Sequence, residues 1–396
     1  MMFWAFSVFF RLFKLTLFHD RNSFARMTPK RIRVMAVFLP VIFFGQVANW
    51  IGLLLDDVFF RGYRKVAIQD PVFIIGIPRS GTTLLHRIMA QDTERFTSFR
   101  LWEIIFAPSI TQRKFWATVS HIDRMIGSHG RRFLAKADRQ LFAPLSEIHK
   151  MSLFDYDEDD LVLTTIFSSS YMLFPFPFFE ETWRHVRFDV ETCATDQDHI
   201  MRFYAACVRR HLYFHGEDKL FLSKNPAFSP KIDAIRRHFP RARVVCSMRT
   251  PYEAIPSLIS LLHVPWDFFG NDTQGLHFRD RVLELAGYWY RHPMHHAQEW
   301  QENRFLFLIY DDLKSDVKSA VADIYQRFGF VIGELFASRL EIEHERARAY
   351  KSNHQYSLEK FGLTAEGILL GFGDVFERFD FDKTLQIPAE PTTYRG

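Results

Sequence analysis

Eight residues, Gly76-Ile-Pro-Arg-Ser-Gly-Thr-Thr83, combine glycines, hydroxyls and one guanidinium in a pattern that could hold a phosphate. They follow a short apolar run of β type, residues 72–76, and lead into Leu84-Leu-His-Arg-Ile-Met-Ala-Gln91, a stretch of helical character. A strand, a glycine-containing loop and a helix form the setting in which backbone N–H groups cradle anionic oxygens. In the ATPase loop G-x-x-x-x-G-K-[ST] a lysine stands where this chain has Thr82, and the nearest cation here is Arg79. A nucleotide kinase needs that lysine on its phosphates and an aspartate on magnesium. Residues 305–311, Phe-Leu-Phe-Leu-Ile-Tyr-Asp, imitate the second of these, so a P-loop-type kinase stays open. So does a plain tight turn before a helix.

A second group lies within residues 221–262. Lys224 stands at the exit of one strand-like run, and Arg249 at the exit of another, residues 244–248. Pro251 then starts a helix whose second turn carries Ser257. A guanidinium at the carboxyl edge of a strand and a hydroxyl eight residues on can grip one phosphate dianion from two directions. Taken singly, Arg249 could be a helix-capping ion pair and Ser257 a surface hydroxyl. Taken together, PRSGTT at 78–83, Lys224 within Ser-Lys-Asn-Pro, and Arg249 with Ser257 in R-T-P-x5-S resemble the sulfotransferase family. The match is closest to its bacterial branch and more distant to the tyrosylprotein sulfotransferases. It runs from about Pro71 to the C-terminal segment at 352–364 and leaves out residues 1–66.

The resemblance implies sulfonate transfer from 3′-phosphoadenylyl sulfate (PAPS). It implies that the backbone amides of Ser80, Gly81, Thr82 and Thr83, with the Thr82 and Thr83 hydroxyls, hold the 5′-phosphate, and that Arg249 and Ser257 hold the 3′-phosphate. Arg79 would steady the bridging oxygen, and Lys224 would share the charge of the transition state. Such an in-line displacement is driven mostly by positioning and charge stabilisation. An acceptor hydroxyl or amine needs a base. Glu103, in Arg-Leu-Trp-Glu, matches the Trp-Glu of the bacterial branch, and burial against Trp102 could raise its proton affinity to a useful value. The competing reading is a structural Glu103 paired with Arg100. Glu147 and His149 are weaker base candidates, and His86 is expected to pack or cap. The 17 histidines show no metal-ligand spacing, and no metal is expected.

Positioning these groups requires an α/β fold: a P-loop-like three-layer sandwich around a central parallel sheet. Strands are expected near 72–76, 220–223, 244–248 and 305–309, with helices at 230–238, 312–329 and 334–349. Lys351 and Asn353 lie in a region that closes over the nucleotide in relatives. The division expected is a sulfotransferase domain at 67–396 and a hydrophobic, basic segment at 1–66.

The chain has 396 residues, of which 48% are hydrophobic and 24% charged, so disorder and fibrous classes are excluded. Three cysteines, Cys193, Cys207 and Cys246, are too few for a disulfide framework. Residues 1–66 hold ten basic and three acidic side chains, an excess of seven against +4 for the whole chain. The rest is therefore net acidic, which disfavours a nucleic-acid partner.

Residues 1–18 and 34–55 are apolar, and the second run could span a bilayer by length. Pro40, Gly45, Gln46 and Asn49 weaken a span. The expectation is a helical, membrane-associating segment, peripheral rather than spanning, with simple packing on the body as the alternative. The 44 phenylalanines outnumber the leucines. Four of them, Phe174, Phe176, Phe178 and Phe179, flank Pro175 and Pro177 in a loop that reads as a pocket wall, lid or membrane-touching surface, or else a core plug. The acidic run at 156–160 reads as a solvated loop or helix start. These features point to a small-molecule or lipid-like acceptor at the cytoplasmic face of a membrane. A Golgi-type lumenal arrangement is the rival, and one Asn-Asp-Thr sequon at 271–273 is too common to decide. A nucleotide-binding membrane-associated protein without turnover is the non-catalytic alternative.

Overall fold

In the computed structural model the run after Pro71 is strand β1 (Val72–Gly76), buried along its whole length. The residues described are 1–18, 25–142, 152–271, 276–349 and 358–384. Four further strands join it: β2 (Phe96–Thr97), β3 (Leu220–Lys224), β4 (Arg243–Met248) and β5 (Phe305–Ile309). The sheet order is β2-β3-β1-β4-β5 and every pairing is parallel. Only β2 was not legible beforehand, because two residues carry no periodicity.

The helices before β3 are α1 (Met2–Phe18), α2 (Pro29–Phe59), α3 (Thr82–Met89), α4 (Leu101–Phe106), α5 (Ile110–Met125), α6 (His129–Phe142), the short α7 (Phe179–Thr182) and α8 (Phe188–Glu191), and α9 (Ala194–His215). After it come α10 (Ile232–His238), α11 (Pro251–Phe268), α12 (Leu276–His296), α13 (Tyr310–Ser315), α14 (Val317–Phe328), α15 (Glu334–Ala349) and α16 (Ala365–Phe379).

Alternate strand residues feed opposite faces, as the two-residue repeat of a strand requires. Phe73, Ile75, Val244 and Cys246 pack with α9 to α12 and α16. Val72, Ile74 and Val245 pack with α3, α14 and α15. The result is the three-layer arrangement expected.

The N-terminal helices are fastened to this body through buried polar groups. Asp56 of α2 accepts from the Ile110 and Thr111 amides at the start of α5, both at 2.8 Å, and from Arg210 Nε at 3.0 Å. The Asn49 amide donates to the Ile105 carbonyl, and Gln112 donates back to Asn49. A bilayer-spanning α2 would have to give up all of these. The opposite face of α2 stays apolar and exposed, with Val37, Val41, Phe44 and Phe59 each about two-thirds accessible. Packing and an exposed apolar face therefore coexist on one helix.

The Phe/Pro loop is mainly a plug. Phe176 and Phe178 are buried in a cluster with Val8, Phe9 and Leu12 of α1 and Met35 of α2. Phe174 alone faces a small apolar pocket shared with Trp266, Phe278 and Trp289.

Asp56→Ala is expected to lower the unfolding free energy by about 3–5 kcal/mol, read from the urea midpoint, because the Ile110 and Thr111 amides lose their acceptor and buried Arg210 keeps only the more distant Asp57, at 3.4 Å. A loss below about 1 kcal/mol would show that α2 is not held by this pair.

Candidate active site

The phosphate loop is built by backbone crossings that only small residues allow. Gly76 has φ +136°, and a Cβ there would overlap the Ser247 carbonyl on the neighbouring strand. Gly81 has φ +84°, and a Cβ would lie 2.7 Å from the Tyr310 ring. Arg79, between them, also takes a positive φ of 73°, a conformation that costs a non-glycine residue. Ser80 is fully buried, its hydroxyl donating to the Ile77 carbonyl at 2.6 Å. The loop feeds α3, whose first-turn amides have no partner within the helix and so remain for a ligand.

Arg79, Arg249 and Ser257 come together from three places in the chain. Arg79 Nε donates to Ser257 Oγ at 3.0 Å, and Arg249 Nη1 donates to the Arg79 carbonyl at 2.9 Å. Arg249 also pairs with Glu253 one turn into α11 and lies over the Tyr310 ring at 4.5 Å. A nucleotide 3′-phosphate at Arg249 and Ser257 has to displace Arg79 from the hydroxyl and compete with Glu253. Lys224 ends the neighbouring strand β3, in register with Ile74. Two buried polar atoms at this edge, Asn225 Nδ2 and Glu158 Oε2, have no hydrogen-bond partner among the described residues.

The acidic run is not solvated. Asp159 accepts from Ser223 Oγ at 3.0 Å and from the Tyr204 hydroxyl. Asp160 is fully buried against Lys231 Nζ at 2.8 Å. With these two turned inward, Asp157 and Glu158 meet Lys224 Nζ at 3.7 and 3.4 Å. Burial raises the Glu158 proton affinity, with Asp157 adding to it and Lys224 opposing. Burial likewise pushes Asp159 up to about 7, against its hydrogen bonds from Tyr204 and Ser223. Asp160 also accepts from Ser169 Oγ and the Ser170 amide nearby, but Tyr204, Ser223, Lys224 and Lys231 lie 45 or more residues away along the chain, so the run itself carried only its charge.

Glu103 departs from expectation. It is fully buried, its oxygens meet the Arg100 amide at 2.9 Å and His215 Nε2 at 2.6 Å, and it forms an ion pair at 3.6 Å with Arg113, whose Nε donates to the Ala107 carbonyl. Burial alone would raise its proton affinity, but Arg113, the His215 hydrogen bond and His211 hold it well below the usual carboxylate range. The expected elevation does not hold. Pairing with Arg100 survives only in part: its backbone meets Glu103, while its guanidinium donates to the Phe154 carbonyl.

Glu103, His211 and His215 offer ligand atoms within 4.8 Å of one another. The spacing of His211 and His215 on α9 could have been noticed, but Glu103 lies over a hundred residues away. Arg113 already supplies a cation to this carboxylate. His86 packs as expected, against Ser98 Oγ at 3.0 Å, and burial together with Lys224 pushes it down to about 3. Glu147, His149, Lys351 and Asn353 lie outside the described residues.

The sulfotransferase family model matches residues 71–332. Omega-hydroxy-beta-dihydromenaquinone-9 sulfotransferase Stf3 of Mycobacterium bovis is 26% identical over 353 residues, covering 88% of this chain and 84% of the relative. The same protein of Mycobacterium tuberculosis matches equally. Two solved structures share the fold. Sulfotransferase STF1 from Mycobacterium tuberculosis has a TM-score of 0.68 at 20% identity, covering 93% of this chain and 91% of that one. Sulfotransferase STF9 from Mycobacterium avium has a TM-score of 0.69 at 17% identity, covering 95% and 96%. With two-thirds of its length matched by the family model, and the loop, Arg249 and Ser257 assembled at one sheet edge, the chain belongs to the sulfotransferase family.

Proposed function

We propose that the protein transfers the sulfonate of PAPS to a hydroxyl or amine of a hydrophobic, lipid-like acceptor. The convergence of Arg79, Arg249 and Ser257 beside the loop, with Lys224 on the next strand, carries this reading. The loop amides of Ser80 to Thr83 and the hydroxyls of Thr82 and Thr83 would hold the 5′-phosphate end of the donor, while the Ser80 hydroxyl is spent on the Ile77 carbonyl. Lys224 and Arg79 would neutralise charge as the bridging bond breaks. Membership of the sulfotransferase family displaces the kinase reading. The name of the mycobacterial relatives, a hydroxylated menaquinone sulfotransferase, supports an apolar acceptor.

For the base, the geometry favours Glu158 over Glu103. A base must hold its proton more tightly than an ordinary carboxylate and have an oxygen to spare. Glu158 meets both conditions beside Lys224, and Glu103 meets neither.

The N-terminal segment docks at a membrane through the outer face of α2 in this reading, peripherally and on the cytoplasmic side. The sequon offers the lumenal alternative no help. Asn271 is buried, with its side-chain amide on the Phe174 carbonyl at 2.7 Å.

Calorimetry with 3′-phosphoadenosine 5′-phosphate tests the donor site. Arg249→Ala is expected to weaken binding by about 10- to 100-fold, the value of a charge-assisted contact to phosphate. Equal or tighter binding of ATP with magnesium by the wild type would overturn the assignment. Binding without turnover of labelled PAPS on any lipid hydroxyl would favour the non-catalytic alternative.

A further inference from the structure

The α5–α6 hairpin exposes more apolar surface than packing or solubility calls for. Along α5, Phe115, Val119, Ile122 and Ile126 recur at helical spacing, and Met125 beside them is 75% accessible. On α6, Phe133 is 70% accessible. The buried residues of α5 are only Ile110 and Arg113. A stripe of this size on a monomer marks an interaction surface.

The charge around the stripe says what covers it. Residues 110–142 hold seven basic and two acidic side chains, an excess of five. Both acids are consumed internally. Asp123 accepts from the Gly130 and Arg131 amides, and Asp138 accepts from Ser152 Oγ and the Leu153 amide. Arg113 is buried against Glu103, and the six remaining cations, all exposed, outnumber these two acids. Aromatic and aliphatic side chains flanked by Arg and Lys on an amphipathic helix fit the interface of an anionic bilayer. Lys114 of α5 lies over the ring of Phe60, the residue that follows α2, at 5.4 Å.

We infer that the α5–α6 hairpin docks on an anionic lipid surface. Its placement suits an acceptor drawn from that surface. Asp138 ties α6 to residues 152–153, and the chain from there reaches Glu158 and Lys224 within a few residues. The inference is independent of the donor chemistry.

The test is co-sedimentation of the full chain with vesicles of phosphatidylcholine alone or with about one-third phosphatidylglycerol. Phe115→Ser, Ile122→Ser and Ile126→Ser together are expected to lower partitioning onto the mixed vesicles by about tenfold or more. Arg131→Glu, Arg132→Glu and Lys136→Glu together should lower it on mixed vesicles only, as should high salt. Circular-dichroism spectra and melting midpoints, unchanged in both, show that each variant is folded. A parallel set on α2, Val37→Ser, Val41→Ser and Phe44→Ser, separates the two surfaces. Partitioning that depends on the α2 set alone overturns the inference. So does concentration-dependent self-association abolished by the hairpin set, which would make a second copy the occupant. Failure of donor binding would sink the sulfotransferase reading while leaving the vesicle result standing.

Discussion

Lys224→Met is expected to cut sulfonate transfer by about 10²- to 10³-fold, the usual cost of removing a preorganised group that stabilises developing charge. The affinity for 3′-phosphoadenosine 5′-phosphate should change by less than about threefold, because the loop, Arg249 and Ser257 are untouched. The lysine is almost fully buried, with two carboxylates as its only nearby charges among the described residues. Removing this charge leaves Asp157 and Glu158 without their cation, so some loss of stability is expected beside the loss of turnover, and urea unfolding reads it separately. Methionine keeps the stem volume and removes the charge. Steady-state turnover with labelled PAPS decides the matter. Turnover within about twofold of wild type would leave Arg79 as the sole charge on the leaving bridge.

Glu158→Gln should cost about 10²- to 10⁴-fold in turnover, the range for losing a general base. Its signature is the pH profile. The wild-type kcat/KM should rise with pH through an ionisation above the ordinary carboxylate value of about 4.3, because burial and Asp157 favour the protonated form. Lys224 opposes that shift, and Asp160 adds to it. In Glu158→Gln this limb should flatten.

Glu103→Gln is the contrasting variant, and its effect should fall on stability. The proton affinity of Glu103 is depressed in the folded protein, so its contribution is present above the ordinary carboxylate value and is lost as pH falls toward the depressed one. The stability gap between wild type and Glu103→Gln is therefore expected at neutral pH and should close in acid. Turnover abolished in Glu103→Gln, with fold and donor affinity intact, and retained in Glu158→Gln would return the base role to Glu103.

Much of this site could be read from local pattern. The loop declares itself because a strand, a glycine crossing and a helix start are adjacent in the chain, and Arg249 and Ser257 sit eight residues apart. What resisted reading was every group whose partner is distant. Glu103 looked like a base because Trp102 is its neighbour in sequence, whereas Arg113, His211 and His215 are its neighbours in space. Asp157 to Asp160 looked solvated because four acids in a row normally repel one another. Lys224, Lys231, Ser223 and Tyr204 supply what they need. The basic hairpin vanished in a sum, since residues 67–396 together are net acidic.

By itself, then, the amino-acid order pointed to the family through the resemblance of its motifs and to the parallel α/β architecture through apolar periodicity, and it supplied the residues proposed for the donor loop. These signals span a few residues and do not wait for the rest of the fold. Tertiary structure alone decided in which direction each carboxylate's proton affinity is pushed, which phenylalanines are buried, and where the exposed cations gather. Proton affinity and exposure depend on what surrounds a side chain in three dimensions. For Glu103 and Glu158 those surroundings come from β3, α5 and α9, and they push two chemically alike groups in opposite directions.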